Sequence, residues 1–74
     1  MDYHQRIRDI REDRDLTQGE IAEVLQTERS YYGKYERGIH PVPAEKIIAL
    51  CRYYNLSADY ILGLTDTKRE LDGC

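Results

Sequence analysis

Two hexapeptides constrain this chain most, because each marks where a helix begins. In Leu16-Thr17-Gln18-Gly19-Glu20-Ile21, Thr17 stands as N-cap and Glu20 falls at the third helical position, the pattern of a capping box. Leu16 before the cap and Ile21 at the fourth position form a hydrophobic staple, which sets the angle at which the chain enters the helix. Leu56, Ser57 and Ile61 repeat the staple and cap for a short element that ends near Gly63.

The remaining elements follow from apolar spacing. Arg6 to Arg14 reads as a first helix, continued back to Tyr3, with Ile7 and Ile10 on its apolar side. Asp13, Arg14 and Asp15 mark a turn. The helix capped by Thr17 buries Ile21, Ala22 and Leu25 and ends near Gln26. A third helix opens at Thr27 or Glu28, runs to Glu36 and stops before Gly38. Tyr32 and Tyr35 face inward on it, while Arg29, Ser30, Gly33 and Lys34 face outward. Ile39 to Pro43 is an extended connector, since residues before proline avoid helical angles. Pro43 suits the first position of a fourth helix, striped by Ile47, Leu50, Cys51 and Tyr54 and broken by Asn55. No segment alternates like a strand. The expected fold is all-α: a compact five-helix domain over residues 1–64, followed by a polar tail, 65–74, expected to fray.

Composition narrows the function classes. With 74 residues, 41% hydrophobic and 34% charged, the chain suits one globular domain with a modest core. No apolar run has the length of a membrane span, and no signal-peptide pattern follows Met1. Cys51 and Cys74 lack Cys-x-x-Cys or histidine company, as do His4 and His40, which argues against a metal site or a disulfide framework. A reducing cytoplasm fits best. No Ser/His/Asp set, paired-carboxylate cleft or phosphate loop occurs, so neither an enzyme nor a cofactor is expected. The net charge of −3 speaks against indiscriminate binding to polyanions, so any such partner must be met by a local patch.

A capped helix, a short turn and a second helix make a helix-turn-helix, in which the first helix crosses the DNA backbone and the second offers its N-terminal side chains to the major groove. Residues 6–63 resemble the Cro and lambda-repressor-type helix-turn-helix domain, often called the Xre family. The matching pieces are IRDIRED in the first helix, LTQGEIAEVL in the second, YERG closing the third and LSADYIL in the fifth. The resemblance implies that Gln18 contacts phosphate and braces the recognition helix. It implies that Glu28, Arg29, Ser30 and Lys34 read bases or neighbouring phosphates, and that Arg37 touches the backbone. Arg11 and Glu36 match an ion pair tying the first helix to the end of the third. Three departures stand out: Gln26 replaces the glycine usual in the turn, Gly33 lies within the recognition helix at a cost of roughly 1 kcal/mol relative to alanine, and tyrosines at 31, 32 and 35 replace smaller or aliphatic residues.

Each role has a plainer counterpart. Arg29, Ser30 and Lys34 also suit a solvated helix face, although an arginine there can hold guanine O6 and N7 bidentately. Glu28 either accepts from cytosine N4 or favours the positive helix terminus. Tyr31 is either a phosphate contact or a surface tyrosine. Tyr32 and Tyr35 read as core. His40 lies near Arg37, within reach of a phosphate. Arg29, Lys34 and Arg37 form a local basic patch, helped by the exposed N-termini of the second and third helices, while Glu23, Asp59, Asp66, Glu70 and Asp72 lie elsewhere.

The resemblance therefore points to a sequence-specific DNA-binding transcriptional regulator, a repressor occupying its operator. An adaptor of the same fold that docks a protein, and an antitoxin, are the alternatives. The expected partner is double-stranded DNA with a pseudo-palindromic operator, bound by a homodimer. Tyr60, Leu62 and Leu64, following Leu56 and Ile61, make the fifth helix and its flank the expected dimer contact, unless Leu62 and Leu64 simply cover the fourth helix.

Overall fold

The computed structural model describes residues 2–70; Cys74 and Asp72 lie outside the described residues. Its helices are α1 (Tyr3–Asp13), α2 (Gln18–Val24), α3 (Arg29–Glu36), α4 (Ala44–Tyr54) and α5 (Ala58–Ile61). The start signals act as their chemistry requires. Thr17 Oγ1 accepts from the Glu20 backbone N–H at 3.1 Å, and Ser57 Oγ accepts from that of Tyr60 at 3.3 Å. Asp2 caps α1 in the same way, accepting from His4 N–H. Pro43 is the N-cap of α4 rather than its first helical residue, so the helix starts one residue later than expected. Glu28 is the N-cap of α3 but makes no side-chain cap bond.

All five helices end alike. A residue with positive φ follows or closes each one: Asp15 (55°), Gln26 (56°), Gly38 (76°), Asn55 (55°) and Gly63 (78°). The next N–H reaches back five residues, as in Leu16 to the Arg11 carbonyl and Thr27 to that of Ala22. This is the Schellman arrangement, which satisfies carbonyls that a helix end leaves without partners.

The core joins Ile7 and Ile10 of α1, Ile21, Ala22 and Leu25 of the α2 region, Tyr32 and Tyr35 of α3, Leu50, Cys51 and Tyr54 of α4, and Leu56, Tyr60 and Ile61 around α5. α3 packs against α2 and α1, while α4 packs against α2 and α5. The apolar residues of α5 are thus largely used inside the domain. Leu56, Tyr60 and Ile61 are buried and Leu62 packs against the core, leaving Leu64, 74% exposed, from the group expected at a dimer contact.

Arg6 and Lys46 each join distant segments. Arg6, 4% exposed, donates to the carbonyls of Tyr60 (2.9 Å) and Thr65 (3.2 Å), pairs with Asp66 (2.8 Å) and lies 4.1 Å over the Tyr60 ring. With the Ser57 N–H donating to the Arg69 carbonyl at 2.8 Å, these bonds lay residues 65–69 back on the domain. Lys46 donates to the Leu25 carbonyl, joining α4 to the end of α2.

Candidate nucleic-acid interface

The α2–α3 turn brings the two helices together through Gln26, which holds φ 56° without being glycine. Behind the turn, Glu36 at the end of α3 is the hub of a polar network. Arg11 donates to it twice, from Nε at 2.7 Å and Nη2 at 3.0 Å, and from Nη1 to the Leu16 carbonyl at 2.8 Å. Gln18 Nε2 adds a third bond to Glu36 at 3.1 Å. The pair is nearly dry, with side chains 12% and 2% exposed. Burial alone would raise the Glu36 pKa, but these bonds outweigh it and hold the carboxyl below its ordinary value.

The Tyr32 and Tyr54 hydroxyls are buried nearby and have no well-formed hydrogen bond among the described residues; the Tyr32 hydroxyl faces the Glu36 carboxylate without good bonding geometry. Burial, reinforced by that negative charge, pushes both phenols far above the ordinary range, so they stay neutral.

On the outer side of this network, Gln18, Arg29, Ser30, Gly33, Lys34 and Arg37 line one open depression of about 450 Å³. Five of the seven residues singled out for DNA contact from the sequence therefore meet on one surface. Gly33 differs from expectation. It is buried, because the Gln18 side chain lies over it; a Cβ there would sit 3.5 Å from Gln18 Oε1, ordinary contact distance. Arg29, Ser30 and Arg37 are exposed and Lys34 is half-buried. Arg37 Nε also donates to the Gly33 carbonyl at 3.3 Å. Among the described acidic residues Glu23, Asp59, Asp66 and Glu70, none lines the depression.

Glu28 and Tyr31 lie outside that lining. Glu28 is exposed at the start of α3. Tyr31, 42% exposed, stacks on His40 with ring centres 5.2 Å apart and planes 11° from parallel, and Lys34 Nζ lies 5.9 Å from its ring. The His40 stack was not legible in the sequence, since the connector folds back by an irregular path. His4 has a structural role: its Nδ1 donates to the Tyr35 carbonyl at 2.7 Å, and its ring lies against Gly38. The inward role of Arg6 had one sequence signal, a cation on the stripe set by Tyr3, Ile7 and Ile10.

Residues 5–70 match the family model described as a helix-turn-helix domain. The chain is 44% identical over 64 residues to the uncharacterised HTH-type transcriptional regulator YobD of Bacillus subtilis, covering 86% of this chain and 57% of that protein. It is 35% identical over 57 residues to the antitoxin PezA of Streptococcus pneumoniae, covering 77% of this chain and 36% of PezA. A crystal structure of a transcriptional regulator from Listeria innocua superposes with a TM-score of 0.80 at 25% identity, over 93% of this chain and 62% of that one. The chain thus spans only part of the length of the curated relatives it matches.

Proposed function

The chain belongs to the helix-turn-helix family of the Cro and lambda-repressor type, and from that premise we propose that it is a sequence-specific DNA-binding transcriptional regulator. The observation that supports this most is the single depression in which Gln18, Arg29, Ser30, Lys34 and Arg37 converge. In this reading α3 enters the major groove. Arg29 and Ser30, at its exposed start, reach base edges, with Glu28 beside them. Lys34, Arg37, Gln18 and Tyr31 meet the phosphates that set orientation.

Gln18 has a double part. Its Nε2 is engaged by Glu36, while its Oε1 lies beside Gly33 in the lining of the depression. The Arg11–Glu36 pair holds the end of α3 against α1 and so keeps the reading side chains in register. The protein acts as a repressor that occludes its operator, works in the cytoplasm, and binds as a two-fold dimer on a pseudo-palindrome. One small module buries only ~600–1,000 Å² on DNA, and the net charge of −3 adds little sequence-independent attraction. The domain is residues 1–64, with 65–69 laid against it.

Selection of bound genomic DNA fragments with purified protein tests the reading. Enrichment of one pseudo-palindromic sequence, with affinity that falls as salt rises, is the expected result. Recovery of no sequence above background, with salt-independent behaviour, would favour the adaptor. The likeness to PezA supports a second reading, an antitoxin that binds DNA through the same surface. Relief of growth arrest on co-expression with the product of an adjacent gene would support it.

A further inference from the structure

Ile48 and Tyr53, 51% and 47% exposed, project from the solvent side of α4. Glu45 and Arg52 are exposed on the same side, and neither has an ion-pair partner among the described residues. Glu45, Ile48 and Arg52, three and four residues apart, form a single outward row, with the half-buried Ala49 at its edge toward α2. Read along the helix, the row runs acid, apolar, base. Such an order is complementary to its own reversal.

We propose that this face of α4 is a homodimer contact, formed by laying α4 antiparallel on α4 of a second copy about a two-fold axis between Ile48 and Ala49. Glu45 of each copy then stands opposite Arg52 of the other, and the two Ile48 side chains meet beside the axis. Tyr53 completes the fit. It shares a ridge with Lys46 and Ala49, the side of α4 that faces α2, because Lys46 donates to the Leu25 carbonyl. In the reversed copy Tyr53 comes level with residues 44 and 45. At that level a groove of about 310 Å³ runs between the end of α2 and the start of α4, lined by Val24, Leu25, Gln26, Glu45, Lys46 and Ala49. Each copy thus offers one tyrosine and one groove, as a closed two-fold contact requires. The rival surface on α5 is weaker, since Leu56, Tyr60 and Ile61 are buried within the domain.

A single crossing of two 11-residue helices buries less than the ~800 Å² per partner of a stable complex, so the dimer is reversible. The contact is proposed for the free protein and stands independently of the two-fold reading of DNA binding. The test uses no DNA, so its failure leaves DNA binding itself to be judged separately. Sedimentation equilibrium of the full chain from about 10 μM to about 1 mM should show monomer and dimer exchanging. Glu45→Arg and Arg52→Glu should each weaken association about tenfold or more, because like charges then face each other at both symmetry-related positions. An equimolar mixture of the two variants should recover association, since both cross-pairs are again of opposite sign. Tyr53→Ala should weaken it as well. These side chains are exposed, and an unchanged thermal midpoint would show that folding is intact. A wild-type chain that stays monomeric throughout, or a dimer that survives both reversals, overturns the proposal. In the second case, loss of the dimer on Leu64→Arg would assign the contact to the α5 flank.

Discussion

Gln18 Nε2 donates to Glu36 Oε1 at 3.1 Å, sharing that oxygen with Arg11 Nη2, so the first residue of α2 is tied to the last of α3 through the same carboxylate that anchors α1. Removing the hub leaves the Arg11 guanidinium buried without its counter-charge. Glu36→Ala should destabilise the fold by ~3–5 kcal/mol, read from denaturant midpoints. A midpoint near wild type would mean that water reaches Arg11. The pH dependence has a definite sign. The folded-state pKa of Glu36 is depressed, so its stabilisation is fully present above the ordinary value of 4.5 and is lost as pH falls through the folded value. Wild type should therefore lose stability below about that pH by a component that Glu36→Gln lacks.

Arg29→Ala should relax specificity at one base pair in each half-site, at a cost of ~1–3 kcal/mol, because its exposed guanidinium stands at the start of the recognition helix. Affinities for a panel of operator variants decide this. An unchanged preference at every position would remove Arg29 from the reading set.

Arg37→Ala should act on all sequences alike, reducing the slope of log affinity against log salt by about one. Arg37 is exposed at the C-terminal end of α3, where a phosphate contact positions without specifying. An unaltered slope would place its side chain away from the backbone.

Gln26→Gly should stabilise the protein by about 0.5–1 kcal/mol. A left-handed conformation costs an ordinary residue ~1–2 kcal/mol, partly offset by the greater freedom glycine loses on folding. Gln26 is exposed with φ 56°, so little packing is lost. Chemical denaturation with an unchanged m-value is the measurement; a lower midpoint would show that the Gln26 side chain makes a stabilising contact in the turn.

Arg6→Ala and Asp66→Ala should differ sharply although the two residues form an ion pair. Asp66 is 94% exposed, and such a pair is worth ~0–1 kcal/mol. Arg6 instead satisfies the Tyr60 and Thr65 carbonyls from a buried position, so its loss should destabilise the fold by a few kcal/mol, about 2–3, and release residues 65–69. Hydrogen exchange at the Ser57 amide, which is bonded to the Arg69 carbonyl, would report that release. Equal effects from the two substitutions would show that the charge pair, not the carbonyl bonds, holds the tail.

The starts and ends of the helices were legible in the sequence because they are local events. A cap joins Thr17 to Glu20 and a Schellman end joins Ala22 to Thr27, distances the chain spans without reference to the rest of the fold. The apolar stripes of α1 and α4 were legible for the same reason, since helical periodicity repeats within one element. What the sequence alone did not decide is everything set by contact between elements. Gly33 reads as an open groove position, yet the side chain of Gln18, fifteen residues away in sequence, covers it. The apolar surplus of α5 reads as a docking surface, yet Arg6 from the first helix lies over Tyr60 while Leu56 and Ile61 are buried, so of that group Leu64 is the one left exposed. The tail reads as polar and free, but polar groups bind one another when a buried guanidinium lacks water, and Arg6 finds the Thr65 carbonyl and Asp66. Local hydrogen bonds and periodicity determined the five helices. Burial and charge compensation between residues far apart in the chain, felt only once the helices pack, decided which faces remain exposed.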